Sequence, residues 1–389
     1  MKYIILSSIF YFTILYSQPS DTIGSGIEYI DHDEMSETQY MYLWQRNKNN
    51  QDDLTQQGKL NYSKGSHPLY QSPLRSNLLD NGFYAISNYV DLDPTFSNPP
   101  STILDYNCGT RSYDTSSGYN HRGIDIFTWP YSWDKMDHDA VTVHAAASGV
   151  ITDKIDGNPD RSCSFNVSTN WNYIAITHAD GSYVWYGHMK AGSLTSKNIG
   201  QAVAAGDYLG VVGSSGISTG PHLHLETHTS GNQLIEPFSG SCNNLNGDTW
   251  WQNQQDYYQS GITKLATHSQ VPTPFPTCTS NPVDTTNYQN FFTTPATVYI
   301  ARYYRDQLPS QNTHVTIYKP SGQIYTQWDH APTGFTHYSA AYWYNTLALP
   351  TGDSTLTGEW IMQTSYQGVI TQHKFYVDYV DFIFGNGFE

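Results

Sequence analysis

The chain has 389 residues, room for two or three domains and at least one sizeable core. Eighteen Lys plus Arg against 34 Asp plus Glu give a formal net charge of −16, which excludes a nucleic-acid partner held on a basic stripe. Only 13% of residues are charged while 32 are Tyr and 10 are Trp, a profile of aromatic-rich sheets rather than of a charged helical bundle or a disordered tail.

Met1-Lys2 and the apolar run from Tyr3 to Tyr16, followed by Ser17-Gln18-Pro19-Ser20, read as a secretory signal peptide over residues 1–17. The run is shorter than the ~20 residues of a membrane-spanning helix, and no later stretch stays apolar for longer. The mature chain is therefore expected to be secreted, extracellular or periplasmic, with no membrane span. In that compartment Cys108, Cys163, Cys242 and Cys278 are disulfide candidates, since their wide spacing lacks the C-x-x-C pairs of a structural metal site. Pairing of Cys163 with Cys242 is favoured because both flank the sheet-rich middle segment.

Residues 18–69 are polar, with a short helix predicted around Glu34 to Asn47 and no strand alternation, and read as a propeptide or a loosely packed N-terminal arm. A main unit follows over residues 70–267. Its apolar runs, Val141 to Ile155, Tyr173 to His178, Tyr183 to His188, Tyr208 to Val212 and His222 to Thr227, predict mostly antiparallel sheet, with Asp180-Gly181 as a hairpin turn. A helix is predicted near Thr249 to Leu265. Pro272, Pro274, Pro276 and Pro282 mark a linker over 268–290. Regularly spaced strands over 291–378 then predict an immunoglobulin-like β-sandwich as an accessory domain, and residues 379–389 form an aromatic, Gly-containing tail with either a sorting role or none. The fold class is mainly β.

Three stretches in the middle unit carry chemistry: His121-Arg122-Gly123-Ile124-Asp125, Tyr186-Gly187-His188-Met189 and Gly220-Pro221-His222-Leu223-His224-Leu225-Glu226. Alternate side chains of a strand share a face, so His222 and His224 point one way while Leu223 and Leu225 can enter a core. The even offset between His121 and Asp125 lets them converge in the same manner if that segment is extended. Two imidazoles and a carboxylate are a common set for a catalytic zinc with an open coordination position.

Other residues have plainer readings. His178, before the hairpin turn, and His144 are expected to make structural hydrogen bonds. Gly213 to Gly220 lacks the Gly-Lys-Ser/Thr ending of a phosphate loop and reads as a turn into the histidine strand. Glu226 is either a partner for a ligand imidazole or a surface carboxylate. Tyr342, Trp343 and Tyr344 are expected to pack alternately into a core, with an aromatic binding platform as the alternative.

At these motifs the chain resembles the lysostaphin-like, or LytM-type, zinc endopeptidases, including secreted β-lytic metallopeptidases. The likeness runs from about Tyr119 to Pro237 and includes Ala147-Ser148-Gly149-Val150, Ile176-Thr177-His178-Ala179-Asp180-Gly181 and Gly213-Ser214-Ser215-Gly216. The resemblance implies an antiparallel-sheet catalytic domain in which His121, Asp125 and His224 ligate one zinc ion per chain, while His188 and His222 face the attacking water and the scissile carbonyl. It implies hydrolysis of peptide bonds in cell-wall peptidoglycan, with Gly-containing cross-links favoured. A protease of Gly-rich extracellular proteins is the second reading, and an inactive wall-binding scaffold the third. The insertion from Asp156 to Asn170 departs from the usual pattern and bears on the shape of the groove.

Overall fold

The structure, a computed structural model, describes residues 22–27, 35–63, 65–95, 102–114, 120–164, 170–275 and 278–379. The expected signal peptide over residues 1–17 and the tail from Asp381 to Glu389 lie outside the described residues.

The architecture is mainly β, with antiparallel pairing almost throughout. The main sheet runs, in spatial order, Tyr84–Asn88, Ile124–Thr128, His222–His228, Tyr183–Gly187, Tyr173–Thr177, Gly149–Ile155 and Ala202–Val203, with Leu234–Ile235 paired onto the histidine strand. The Asp180-Gly181 hairpin forms as predicted: Ile174 faces Tyr186 and Thr177 faces Tyr183, and Gly181 takes φ +88°, a conformation open to glycine at no steric cost. The apolar run predicted from Val141 to Ile155 is divided between Val141–His144, in a small sheet with Leu74–Ser76 and Tyr208–Val211, and Gly149–Ile155 in the main sheet.

Alternation decides what each face of the main sheet meets. Leu223, Leu225, Ile124, Ile126, Ile174, Ile176, Val184 and Tyr186 are buried together in the principal core. Asp125, His222, His224 and Glu226 therefore project from the opposite face. Trp185, directly opposite Glu226 in register, stands on that face too, in a second cluster with Trp171, Tyr173, Tyr183 and Tyr113.

The predicted N-terminal helix exists and is longer than expected, running Glu37–Gln56. Ser36 caps it, its hydroxyl accepting from the Gln39 amide at 3.2 Å. Tyr40, Leu43, Asn47, Gln51 and Leu54 recur at helical spacing on one buried stripe. The stripe lies on the second face of the sheet, where Gln51 Nε2 donates to Thr177 Oγ1 at 2.9 Å, Thr152 Oγ1 donates to Asn47 Oδ1 at 2.7 Å and Arg46 pairs with the buried Asp153 at 2.9 Å. The arm is docked rather than loosely packed. It also contains a strand that alternation did not suggest, Ile23–Ile27, since two of its five residues are glycine.

The helix predicted near Thr249 to Leu265 is not formed. Gly261–His268 is instead a strand, paired antiparallel with Ala296–Gln307. Its β-branched Ile262, Thr263 and Thr267 suit a sheet, and a partner strand far along the chain overrides local helical preference. The C-terminal unit layers a four-stranded sheet (Ile23–Ile27, Tyr338–Leu349, Ala296–Gln307, Gly261–His268) against a five-stranded one (Phe291–Thr293, Val369–Asp378, Gly358–Tyr366, Thr313–Tyr318, Ile324–His330). Val298, Ile300, Val315, Ile317, Leu347, Trp360, Met362 and Phe375 fill the space between them. The outer face of the four-stranded sheet packs on the main unit through Phe127, Trp129, Tyr131, Ala301, Tyr303 and Tyr344.

The disulfides correct the favoured Cys163–Cys242 pairing. Cys108 joins Cys242 and Cys163 joins Cys278, with Cα atoms 5.2 and 5.1 Å apart. A bridge requires its Cα atoms to lie within roughly 7 Å, and that proximity is set by the folded chain, not by which segment the cysteines flank.

Candidate metal centre

Asp125 and His224 come from neighbouring strands whose register sets them side by side, and His121 comes from the bend just before the Asp125 strand: His224 faces Asp125 across one pair and Gly187, the residue before His188, across the other. One ligand atom from each of the three lies within 4.8 Å of the others, and all three residues are buried. His121 Nε2 is 3.1 Å from Asp125 Oδ2, and His224 Nδ1 is 2.9 Å from Asp125 Oδ1. Gly123 makes this approach possible, because a Cβ there would sit 2.5 Å from His224 Nε2.

Each imidazole is oriented by its other nitrogen. His121 Nδ1 bonds the Tyr89 carbonyl at 2.7 Å, leaving Nε2 toward Asp125; His224 bonds Glu226 Oε2 through Nε2 at 3.2 Å, leaving Nδ1 toward the centre. The outward nitrogen, engaged by an oxygen acceptor, keeps its proton, so it is the inward nitrogen, which meets Asp125 in the metal-free protein, that gives up its proton and presents a lone pair when a cation binds. Burial alone would raise the Asp125 carboxyl, but the adjacent His121 imidazole and hydrogen bonds from His121 and His224 hold it well below the usual carboxylate range. Asn88 Nδ2 also donates to Asp125 Oδ2 at 3.1 Å. The centre thus offers two imidazole lone pairs and a carboxylate kept ionised, a donor set that fits a borderline cation such as zinc.

His188 and His222 stand beside this trio. Their rings are 4.3 Å apart, His222 Nε2 is 3.8 Å from Asp125 Oδ1, and their Nδ1 atoms bond the carbonyls of Ser215 (2.7 Å) and Gly220 (2.8 Å). His188 adopts φ +60°, a left-handed turn that ends its strand and swings the ring back over the sheet. Structure and sequence therefore bring all five expected residues to one place. Sequence reasoning missed Asn88 and the aromatic walls: Tyr113 stacks on His121 at 4.6 Å, while Trp171 lies 4.6 Å from His188 and 5.1 Å from His224. No local spacing signals them, since they come from distant segments.

The open question over Glu226 is resolved as a buried partner. Its carboxylate accepts from both His224 and His228 (2.5 Å), and although burial opposes ionisation these bonds lower it to about 2. Glu226→Gln preserves shape but removes the anionic acceptor, so metal affinity is expected to fall ~10–100-fold, measured by chelator competition. His178 and His144 bond the carbonyls of Ser148 and Gly206, the structural roles expected.

Residues 119–237 match the profile of Peptidase family M23. The chain carries a peptidase family M23 domain. Within the curated proteins it is similar to the DD-carboxypeptidase/endopeptidase Mpg of Neisseria meningitidis serogroup B and of Neisseria gonorrhoeae, each 39% identical over 97 residues, covering 25% of this chain and 19% of the relative. The chain thus matches about a fifth of the length of these relatives. The M23 domain takes in the whole trio and both flanking histidines.

One buried acid at the end of the M23 domain bears on stability. Glu236 accepts from the amides of Val90 (3.1 Å) and Phe238 (2.8 Å), and burial raises it from 4.5 to about 8 despite those bonds. The folded state therefore holds a proton that the unfolded state releases, so its stabilising effect is full below about pH 4.5 and is lost as pH climbs toward about 8. The thermal midpoint is expected to fall over that window in calorimetry, and less steeply for Glu236→Gln.

Proposed function

We propose that the M23 domain is a secreted zinc endopeptidase that hydrolyses peptide bonds of cell-wall peptidoglycan, at Gly-containing cross-links. The observation that carries this reading is the buried His121, Asp125 and His224 trio, with His188 and His222 on the same face. His121, Asp125 and His224 hold the ion. When bound, zinc supplies Lewis acidity toward a carbonyl and a water molecule. His188 and His222, oriented by carbonyl acceptors behind them, take up a proton from the attacking water and donate hydrogen bonds to the carbonyl oxygen as charge builds there. Trp171 and Tyr113 shield the imidazoles from bulk water. The intact set of five argues against a scaffold that has lost catalysis. The similar Neisseria proteins are named as DD-carboxypeptidase/endopeptidases, which supports the reaction class.

The arm is a propeptide in this reading. The side chains of His121, Asp125, His188, His222 and His224 have no solvent exposure, and the arm contributes Met35, Tyr40 and Leu43 to the aromatic floor beside them. Arg122, next to the ligand His121, reaches Glu37 at 3.2 Å and lies over the Tyr40 ring at 4.1 Å. The C-terminal two-sheet unit orients the enzyme on its polymer.

The test is digestion of purified peptidoglycan by arm-free protein, with mass spectrometry of the products and metal analysis of the enzyme. Release of peptides cut at a Gly-containing bond, with about one zinc per chain, is the expected result. Cleavage of Gly-rich protein with walls left intact favours the second substrate instead.

A further inference from the structure

The arm occupies a second place besides the M23 face. Its strand Ile23–Ile27, Ile-Gly-Ser-Gly-Ile, pairs antiparallel with Tyr338–Leu349 from Ile23 opposite Tyr344 to Ile27 opposite Ala340. On its other side Tyr338–Leu349 is paired with Ala296–Gln307. Among the described residues the arm strand is thus the one strand paired along the remaining edge of Tyr338–Leu349, from Ala340 to Tyr344. Such an edge offers a row of amides and carbonyls to an extended peptide.

The fit is selective. A Cβ on Gly24 would lie 2.0 Å from the Tyr342 carbonyl oxygen and 2.9 Å from the Trp343 ring. One on Gly26 would lie 2.3 Å from the Tyr338 ring, which is itself stacked on Phe335 at 3.8 Å. Neither glycine has a positive φ, so it is lack of bulk and not backbone freedom that the edge demands at these positions. Ser25 between them is exposed, and Ile23 is 52% exposed, so those side chains are not read. Of the aromatic run Tyr342-Trp343-Tyr344, expected to pack alternately into a core, Tyr344 is buried, while Trp343, anchored through Nε1 to Gln307 at 2.8 Å, forms part of the wall that excludes a Cβ.

We propose that the edge of Tyr338–Leu349 is a docking site for an extended peptide with glycines two residues apart, and that the arm strand is its built-in stand-in. Resting on the wall-hydrolase reading above, the occupant is the Gly-containing cross-bridge of peptidoglycan. Release of the arm frees the catalytic face and this edge together, so the accessory unit holds one stretch of cross-bridge while the M23 domain meets another.

The test uses the full chain, freed at the edge by Gly24→Val with Gly26→Val, or separately by Ser25→Pro, which removes the Ser25 N–H and adds a ring on that nitrogen. Labelled Ile-Gly-Ser-Gly-Ile and Ile-Ala-Ser-Ala-Ile are titrated by fluorescence anisotropy in chelator, where no bond is cut, so failure of binding and failure of catalysis are read apart. The freed chains are expected to bind the glycine peptide at least ~10-fold more tightly than the native chain does, and the alanine peptide at least ~10-fold more weakly, a difference of ~1.4 kcal/mol. Adding Tyr338→Ala to Ser25→Pro should let Ile-Gly-Ser-Ala-Ile bind within about 3-fold of the glycine peptide, the span of ~0.7 kcal/mol. Equal affinity for the glycine and alanine peptides, or no gain over the native chain in folded variants, overturns the site. Sedimentation of the freed chain with glycine-bridged peptidoglycan, but not with directly cross-linked peptidoglycan, is expected; retention by elastin alone overturns the wall as source.

Discussion

Replacing His224 with alanine is expected to remove metal and hydrolysis together, whereas His222→Ala keeps near-stoichiometric metal and loses turnover by ~10² or more. The two residues look equivalent in the H-x-H pattern and share a face of the strand, yet their surroundings differ. His224 Nδ1 meets Asp125 at 2.9 Å and its other nitrogen is held by Glu226, while His222 Nε2 stands back at 3.8 Å and its ring packs against His188. Removing His224 leaves one imidazole and one carboxylate, too few for a stable three-ligand site. Removing His222 leaves His121, Asp125 and His224 in place and deletes only a group that moves a proton or stabilises an oxyanion. Metal analysis of both purified, folded variants, run beside hydrolysis of a small glycine peptide, is the measurement. Retention of metal by His224→Ala together with its loss from His222→Ala reverses the assignment and sinks the site proposed here.

Loosening the arm is expected to raise peptide hydrolysis by ~10² or more. Leu43 is fully buried and sits with Tyr40 and Met35 against Tyr113, Trp171, Tyr173 and Trp185. In the propeptide reading, those aromatics, beside the histidines, are the floor that substrate reaches once the arm leaves. Leu43→Asp places a carboxylate in that contact at a cost of several kcal/mol, a change of ~10²–10³ in the docking equilibrium, while leaving every metal ligand untouched. The rise should be matched by cleavage within Gln57 to Leu69, the mostly exposed connection between the arm helix and the main unit. Initial rates on a peptide too small to need the accessory unit provide the readout. No increase in a Leu43→Asp chain that stays folded, or full activity in secreted protein that still begins at Gln18, removes the propeptide from the account.

Much of the centre was legible because strand chemistry is local. Alternation along His222 to Glu226 places imidazoles on one face and leucines on the other whatever the partner strands are; His121 and Asp125 do meet, but through a bend before the Ile124–Thr128 strand and not through the even offset of an extended segment. The hairpin at Asp180-Gly181 is local too, since the residues that form the turn also specify its geometry. The helix of the arm was visible as a segment but not in its extent, because Asn47 and Gln51 read as polar surface until Thr152 and Thr177 are there to receive them.

The sequence by itself determined the β class, the shared face of His222 and His224 and the hairpin, all of which depend on residue type and short-range periodicity. Tertiary structure alone decided the disulfide partners, the strand at Gly261–His268, the role of Glu226, and the posting of Asn88, Tyr113 and Trp171 around the centre. It also decided that one N-terminal segment covers both the histidine face and a distant sheet edge. Those outcomes depend on which surfaces the folded chain brings within a few ångströms of each other, and burial turns such proximity into a requirement: a polar group removed from water needs a partner, and a packed edge rejects a single extra carbon.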